Sequence, residues 1–330
     1  MPELVRIEAT EGFRLSDLEG EVRALDAQLL ARHAPESHWM LLDRRRLLAR
    51  CSTWWRSTPR LDGNRVGAVG HYAAADAASG ARVIEAACDE LRRAGTALAV
   101  GPMDGNTWRS YRFVTDRGDA PPFLLEPWQP PEWPAHFGAC GFEPLASYHS
   151  ALCEDLSEPD PRAAAACARL ARNGVAIRPL KLDEFEAELK RIHALSAVSF
   201  AGNFLYTPLA ESDFLQQYVP IRGYVHPGLV LIAECEGEVV GYVFALPDWN
   251  EKQRGAEPRT IIVKTVAVAG GRRHAGLGVC LVARVHEAAH AMGYTRAVHA
   301  LMHDENNSAN VSRRYSRVMR RYTLFARNLA

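Results

Sequence analysis

Apolar and polar residues follow a similar order of predicted elements in the two halves of the chain. Residues 81–94 and 276–292 each repeat apolar positions at three- and four-residue intervals, which is typical of an amphipathic helix. Gly95 and Gly293 follow these stretches, and glycine is the residue preferred just past a helix end. In each half, a hairpin and a strand precede the helix and a short strand follows it. We therefore predict an α/β protein with an internal duplication.

Short apolar runs rich in β-branched residues predict the strands. Asp62-Gly63-Asn64 and Glu236-Gly237 separate pairs of such runs and predict hairpin turns. Residues 259–270, "RTIIVKTVAVAG", predict a long strand, and residues 304–314 predict a short helix. The first fifty residues favour helices instead, because residues 22–48 are rich in Leu, Ala and Arg.

The chain length and one irregular stretch predict two domains. A chain of 330 residues exceeds most single cores, and two domains of roughly 150 residues are expected. The proline-rich Ser157-Glu-Pro-Asp-Pro161 breaks regular structure, and Asn173-Gly174 ends the Ala-rich helix that follows. We place the domains at residues 1–156 and 174–330, with residues 157–173 as linker. Each half has an Asp-x-Asn turn, at 104–106 and 304–306, with Tyr111 or Tyr315 beyond it.

Composition indicates a cytoplasmic protein. Formal net charge is zero, which argues against a general nucleic-acid or membrane-surface binder. No apolar run approaches the ~20 residues that span a bilayer, and the acidic start of the chain is unlike a signal peptide. The seven cysteines are scattered and form no CxxC pair, so we expect reduced thiols that pack as small apolar groups. No zinc-ligand spacing is present, and we expect no metal.

The stretch 266–278, "VAVAGGRRHAGLG", carries the clearest chemistry. Free N–H groups and the helix dipole make a helix N-terminus an anion site, and glycines let a phosphate approach the backbone. Val279-Cys280 follow Gly278, so the Lys-Ser/Thr pair of a P-loop is missing. The order of the glycines is also not that of a dinucleotide fingerprint. A phosphate cradle and a tight connection with solvated arginines both remain open on glycine content alone.

The order of residues in this turn resembles a known family. Arg273-His-Ala-Gly276-Leu-Gly278 resembles the acyl-CoA signature Gln/Arg-x-x-Gly-x-Gly/Ala of the GNAT superfamily of N-acyltransferases. The resemblance covers residues 174–330, and residues 1–150 resemble a degenerate copy without the signature. It implies two GNAT-like domains, each a twisted mixed β-sheet flanked by helices. It also implies transfer of an acetyl or other short acyl group from acyl-CoA to a primary amine.

The resemblance implies roles for specific residues. Main-chain groups of Val266, Ala267 and Val268 would contact the pantetheine arm of acetyl-CoA or another acyl-CoA. Backbone N–H groups of the turn would bind the pyrophosphate, and these belong to Arg273, His274, Ala275, Gly276, Leu277, Gly278 and Val279. Asn307 or Asn310 would touch the pantetheine, and Tyr315 would be the general acid near the sulfur. The Gly-Phe that often follows this tyrosine in the family is missing after Tyr315.

Several questions stay open at this level. The acceptor is expected to be a small-molecule or peptide amine, with no nucleic acid or membrane partner, and the oligomeric state is unknown. Four residues are candidates for the base that takes the proton of the amine: Glu234, Asp248, His299 and His303. Two alternatives share the fold, namely a non-catalytic protein that binds CoA or a small effector, and a transferase that uses aminoacyl-tRNA.

Overall fold

A computed structural model describes residues 1–7, 15–305 and 316–330. The described part of the first half contains strands, helices and loops up to residue 156. Its strands are β1 (Glu3–Ile7), β2 (Ser37–Asp43), β3 (Arg46–Trp54), β4 (Arg60–Leu61), β5 (Asn64–Ala74), β6 (Leu98–Gly101), β7 (Phe113–Asp116) and β8 (Glu143–Cys153). Its helices are α1 (Ala27–His33), α2 (Ala77–Arg93) and α3 (Trp133–Ala139).

The second half repeats this arrangement with more helices. Its helices are α4 (Pro161–Arg172), α5 (Phe185–Ser199), α6 (Glu211–Tyr218), α7 (Trp249–Gln253) and α8 (Leu277–Ala291). Its strands are β9 (Ala176–Pro179), β10 (Val230–Cys235), β11 (Glu238–Pro247), β12 (Thr260–Val268), β13 (Arg296–His303) and β14 (Arg317–Asn328). The predicted α/β fold class is confirmed: a large twisted mixed sheet is flanked by helices. The two predicted hairpin turns also form, with positive φ at Asp62-Gly63 and Glu236-Gly237.

The described strands join one sheet because the two halves exchange strands. The order is β1-β2-β3-β5-β6-β14-β8-β13-β12-β11-β10-β9, with β4 on β5 and β7 on β14. Strand β14, from the end of the chain, lies between β6 and β8 of the first half. Strand β8 in turn lies between β14 and β13 of the second half. The predicted domain boundaries at residues 156 and 174 therefore follow the order of the chain and not the order of strands in the sheet. As domain limits they stay a prediction.

Helices cover both faces of the second half of the sheet. Alternate residues of β10 point to opposite faces, so Leu231 and Ala233 pack with α4 and α8. Val230 and Ile232 pack instead with α5 and α6. Helix α8 therefore lies on one face, and α5 with α6 lies on the other.

The first fifty residues correct the helical prediction. The described part of this region forms β1, β2 and the start of β3, with the seven-residue α1 as its one α-helix. Strand β2 pairs with both β1 and β3, and Met40 and Leu41 are almost fully buried on opposite faces. Leu and Arg are good helix formers in isolation, but burial on two faces of a sheet overrides that weak preference.

One disulfide corrects the prediction that all cysteines are reduced. Cys167 of α4 and Cys280 of α8 are bonded, with their Cα atoms 5.4 Å apart. The bond joins the predicted linker to the first turn of α8. The other five cysteines are buried free thiols, which agrees with packing as small apolar groups.

No helix in residues 1–7, 15–305 and 316–330 is both long and apolar enough to cross a membrane.

A buried ion pair links the exchanged strand β14 to the first half, and its loss should destabilise the protein. Arg320 donates to Glu126 at 2.7 Å, both side chains are fully buried, and Tyr322 also donates to Glu126. Glu126→Gln leaves a buried guanidinium without its countercharge, so we expect a loss of about 3 kcal/mol in urea unfolding. Glu154→Gln is the control, because its pair with Arg317 is largely exposed. Equal losses for the two variants would contradict the prediction.

Candidate active site

The candidate site begins where β12 and β13 separate. The two parallel strands pair from Thr260–Arg296 to Val263–His299. Beyond Val263, β12 continues to Val268 beside β11, and no further described residue of β13 pairs with it. A cleft therefore opens between two neighbouring strands in the middle of the sheet.

A β-bulge lies at the point of separation. Ala245 of β11 pairs with Val263, and Phe244 pairs with Thr265, so Lys264 is an extra residue on β12. A bulge bends its strand and increases the local twist. It therefore turns the end of β12 away from β13 and places Lys264 at the base of the cleft.

The cleft leads into a cavity of about 910 Å³. Apolar and aromatic side chains of α5, α6 and β11 form much of its wall, among them Phe185, Leu189, Ile192, Phe214, Tyr218 and Phe244. Residues 107–112, which belong to the first half of the chain, line another side. Gly278 and Val282 of α8 also line it. The cavity therefore connects an apolar chamber with the start of α8.

The N-terminus of α8 is open. Gly276 precedes the helix with φ 82°, and no side chain accepts a hydrogen bond from the first turn. The first N–H groups of an α-helix have no acceptor within the helix. The positive φ favours glycine at position 276, and a side chain there would also meet Ala166 and Arg169 at a tight 3.2 and 3.3 Å. The backbone N–H groups of His274 and Ala275 donate to the carbonyls of Gly271 and Arg272, so the first N–H groups of α8 itself are the ones left for an anion.

Contacts from α4 and from the turn between β10 and β11 hold the glycine turn in place. The Arg169 guanidinium donates to the carbonyl of Ala275, and the Cys167–Cys280 disulfide fixes α4 against α8. Arg273 pairs with Glu236 at 2.7 Å at the exposed edge. Arg273 is thus already engaged, and the backbone of the turn is the better-placed anion donor.

The matching helix in the first half is closed by its own side chain. Asp76 caps α2, and its carboxylate accepts from the backbone N of Ser79 at 2.7 Å and from the Ser79 hydroxyl at 3.0 Å. These hydrogen bonds lower the pKa of Asp76, which keeps the carboxylate charged. A carboxylate therefore occupies the anion position of α2, whereas α8 leaves it open.

The matching cleft in the first half is also filled. Strands β5 and β6 pair only from Val66–Leu98 to Ala68–Val100, and β5 has its own register shift near His71. The loop after β6 enters the gap: Asp104 accepts from the backbone N of His71 at 2.6 Å. A side chain at Gly70 would lie 2.3 Å from the carbonyl of Met103. The chain itself fills this cleft.

Two cations face the large cavity without a carboxylate partner among the described residues. Lys264 is half-buried at the wall, and burial together with nearby Arg112 lowers the pKa of Lys264 to about 8. Arg112 is 6% exposed and lies between the rings of Tyr111 and Tyr148, at 3.9 and 4.2 Å. Its Nε has no hydrogen-bond partner in the described structure. Buried cations are normally paired, so this arrangement is unusual.

The structure separates the four candidate bases. Hydrogen bonds from Arg178 and Arg191 lower the pKa of Glu234 to about 2, and Glu234 lies outside the cavity. Asp248 caps α7 and accepts from the backbone N of Leu124 at 2.9 Å, again away from the cavity. Neither carboxylate is placed to take a proton from a substrate there.

The two histidines do line the cavity. His299 lies with its Nε2 3.0 Å from Nε2 of His286, and burial lowers its pKa. His303 accepts from the backbone N of Glu305 at its Nδ1, so the neutral ring carries its proton on Nε2. That Nε2 has no partner in the described structure. His303 is therefore better arranged to donate a hydrogen bond than to act as a base.

The residues predicted for cofactor binding fall into two groups. Val266, Ala267 and Val268 lie on β12 beyond its last pair with β13, and the stretch from Arg273 to Val279 surrounds the start of α8. The separated strand and the helix N-terminus therefore lie next to each other, as the proposed contacts require. Asn307, Asn310 and Tyr315 lie outside the described residues, as does most of the predicted helix at 304–314. All these assignments stay predictions.

Sequence reasoning did not find Lys264 and Arg112. Lys264 is the one charged residue within the strand sequence "TIIVKTVAV", and a lone charge in an otherwise apolar strand is a usable signal. Arg112 follows a proline-containing loop of the other half, and nothing in its neighbouring sequence indicates that it reaches this cavity.

The comparison with protein families agrees with this geometry. Residues 190–313 match the family model described as Acetyltransferase (GNAT) family. This range includes α5, the bulged strand β12 and the glycine turn. The second half of the chain therefore contains a region that is similar to the GNAT family.

Individual relatives are more distant. The bacterial ceramide synthase of Caulobacter vibrioides is 25% identical over 193 residues, or 58% of this chain. This chain spans 49% of the length of that relative. A tandem GNAT protein from the clavulanic acid biosynthesis pathway has a TM-score of 0.53 at 13% identity, covering 100% of this chain and 99% of that one.

A glucosamine N-acetyltransferase region of a fungal multi-domain beta-N-acetylglucosaminidase has a TM-score of 0.55 at 17% identity. The match covers 88% of this chain and 33% of the fungal chain. At these identities, the two solved structures establish the fold alone.

Lys264 should destabilise the folded protein, because its ammonium group is desolvated without a counterion. Lys264→Met keeps the length of the side chain and removes the charge, so we expect a higher thermal midpoint near pH 7. The folded pKa of about 8 lies below the ordinary value of 10.5. The unfolded chain therefore binds more protons between these pH values, and wild-type stability rises with pH there. The advantage of the variant should shrink over that window.

The control for this prediction is Lys190→Met, which removes an exposed lysine paired with Glu186 at 3.7 Å. It should leave the midpoint almost unchanged at each pH. A lower midpoint for Lys264→Met near pH 7 would contradict the prediction.

Proposed function

We propose that the second half of the chain binds an acyl-CoA and transfers its acyl group to an amine. The observation that carries this proposal is the open, uncapped start of α8 beside the separated strands β12 and β13. The closed counterpart at Asp76 in the first half supports the assignment of a single donor site to the second half. In this proposal, CoA is a cosubstrate, and its pyrophosphate accepts hydrogen bonds from backbone N–H groups of the predicted stretch 273–279, chiefly those at the start of α8.

The reaction needs no covalent enzyme intermediate. The neutral amine attacks the thioester carbonyl, a C–N bond forms, and the C–S bond breaks to release the thiolate of CoA. The amine loses one proton, and the thiolate gains one. The edge of β12 at Val266–Val268, which no described residue of β13 pairs, would hold the pantetheine arm, so that both substrates meet in line. Asn307 or Asn310 would add a contact to the pantetheine, and Tyr315 would supply the proton to the sulfur.

The apolar chamber supports a substrate with an apolar chain. Aromatic and aliphatic groups of α5 and α6 form its wall, and such a surface favours burial of hydrocarbon. A relative named bacterial ceramide synthase is consistent with a lipid substrate. We therefore include long acyl groups beside acetyl among the donors, and amines with an apolar body among the acceptors.

A charge placed at the start of α8 should abolish acyl-CoA binding. Gly278→Glu is the preferred variant, because a Cβ there meets Val266 and Val268 at an ordinary 3.8 Å and the residue lines the cavity. Its carboxylate would occupy the anion position and repel the pyrophosphate. Isothermal titration should show acetyl-CoA or decanoyl-CoA binding to wild type and a loss of at least about 100-fold in the variant.

The control is Gly138→Glu, which makes the same change at an exposed helical position with no atom within 4 Å. It should bind acyl-CoA like the wild type. Absence of binding to wild type would overturn the proposal. Tight CoA binding without thiol release across a broad amine panel would favour a non-catalytic binder. Transfer that requires aminoacyl-tRNA would favour the other alternative.

A further inference from the structure

The wall of the large cavity carries an excess of positive charge. Arg109, Arg112 and Lys264 line it, and Glu126 is the one carboxylate among the described lining residues. Glu126 is committed to Arg320 at 2.7 Å and to the hydroxyl of Tyr322. It is therefore not free to neutralise the other cations.

The guanidinium of Arg109 already has hydrogen-bond partners in the protein. It donates to the backbone carbonyls of His33, Asp104 and Arg32, at 2.9 to 3.3 Å. Arg112 donates to the carbonyl of Leu301 at 3.3 Å, but its buried Nε has no partner in the described structure. Lys264 makes no hydrogen bond or ion pair with a described residue. Among the described residues, Lys264 and Arg112 therefore have no carboxylate partner.

These two cations lie at the junction of the apolar chamber and the cleft. Lys264 is at the bulge where β12 leaves β13, and Arg112 is held between Tyr111 and Tyr148. Arg112 has φ 67°, a conformation that costs energy in a non-glycine residue. The two rings hold the guanidinium at the cavity wall. A fixed cation beside an apolar wall is suited to an amphipathic anion.

We propose that this cavity binds an amphipathic molecule through an anionic group, a carboxylate or a phosphate, held by Lys264 and Arg112. This inference rests on the proposed function, because the bound molecule is taken to be the acceptor of that reaction. The acceptor is then an amine that carries such an anionic group together with an apolar body. Polyamines and other purely cationic acceptors are then disfavoured by charge. The two cations also favour the neutral form of a nearby amine, because like charges lower its pKa. The neutral amine is the form that attacks.

Binding of four simple probes to the full chain tests this proposal without any turnover. Decanoate, decyl phosphate, decanol and decylamine share one alkyl chain and differ only in their head group. Isothermal titration should show that at least one of the anions binds about tenfold or more tightly than decanol. Decylamine should bind most weakly. The tighter of the two anions identifies the carboxylate or the phosphate as the better-matched group.

Variants assign the preference to the named residue. Lys264→Met should reduce the preference for the anion by about tenfold and leave decanol binding unchanged. Lys264→Arg retains the charge and should retain most of the preference. Lys190→Met removes an exposed lysine and should behave like wild type. The proposal is overturned if no anion binds more tightly than decanol, if none of the probes binds, or if Lys264→Met keeps the full preference.

A binding experiment in the presence of CoA distinguishes this proposal from the proposed function. Decanoate should still bind when CoA is saturating, because the two are expected to occupy different parts of the cleft. Loss of decanoate binding with CoA would overturn the acceptor assignment. Acyl-CoA binding without an anion preference removes only the present inference. An anion preference without acyl-CoA binding to the wild type removes the proposed function instead.

Discussion

The separation of two parallel strands in the middle of the sheet is the constraint on which the rest of the structure depends. In each half, the central pair stays together for only three or four residues before a register shift on one strand turns it away. The resulting cleft exposes backbone groups that need partners. The first half fills its cleft with its own loop at Met103–Asp104 and caps α2 with Asp76. The second half leaves both positions open. The same backbone feature therefore gives a closed scaffold in one copy and a candidate site in the other.

Because β8 and β14 are exchanged, each half of the chain depends on the other for a strand of its sheet. Strand β14 completes the sheet of the first half beside β6, and β8 completes the sheet beside β13. The fully buried pair of Arg320 and Glu126 joins this exchanged strand to a loop of the first half. A buried charge is tolerated only with its partner in place, so the exchanged strand and the loop depend on each other for stability. The sheet is thus continuous through the boundary that chain order predicts, and the candidate site lies next to the exchanged strands.

Local signals in the sequence predicted those parts of the structure that depend on local conformation. Asp62-Gly63 and Glu236-Gly237 form the predicted hairpin turns because these residues accept positive φ. Gly276 begins α8 for the same reason. The errors concern contacts between distant residues: the strands of the first fifty residues depend on burial on two faces, and Cys167 meets Cys280 across 113 residues. Lys264 was visible as a lone charge in an apolar strand, but its role depends on Arg112 of the other half. The positions of Asn307, Asn310 and Tyr315 remain predictions.

The loop after β6 links the closed cleft of the first half to the cavity of the second half. Asp104 of this loop binds the backbone N of His71 and fills the cleft of the first half. A few residues later, Trp108 packs against Phe200 and Phe214 at the wall of the other cavity. Arg112 then places its guanidinium at that same wall between two tyrosine rings. One segment thus closes the first cleft and shapes the second. If the first half bound its own ligand in the cleft, this loop would have to leave it, and Arg112 and Trp108 would lose the anchor that positions them. The closed cleft of the first half is therefore a condition for the charge and shape of the cavity in the second half.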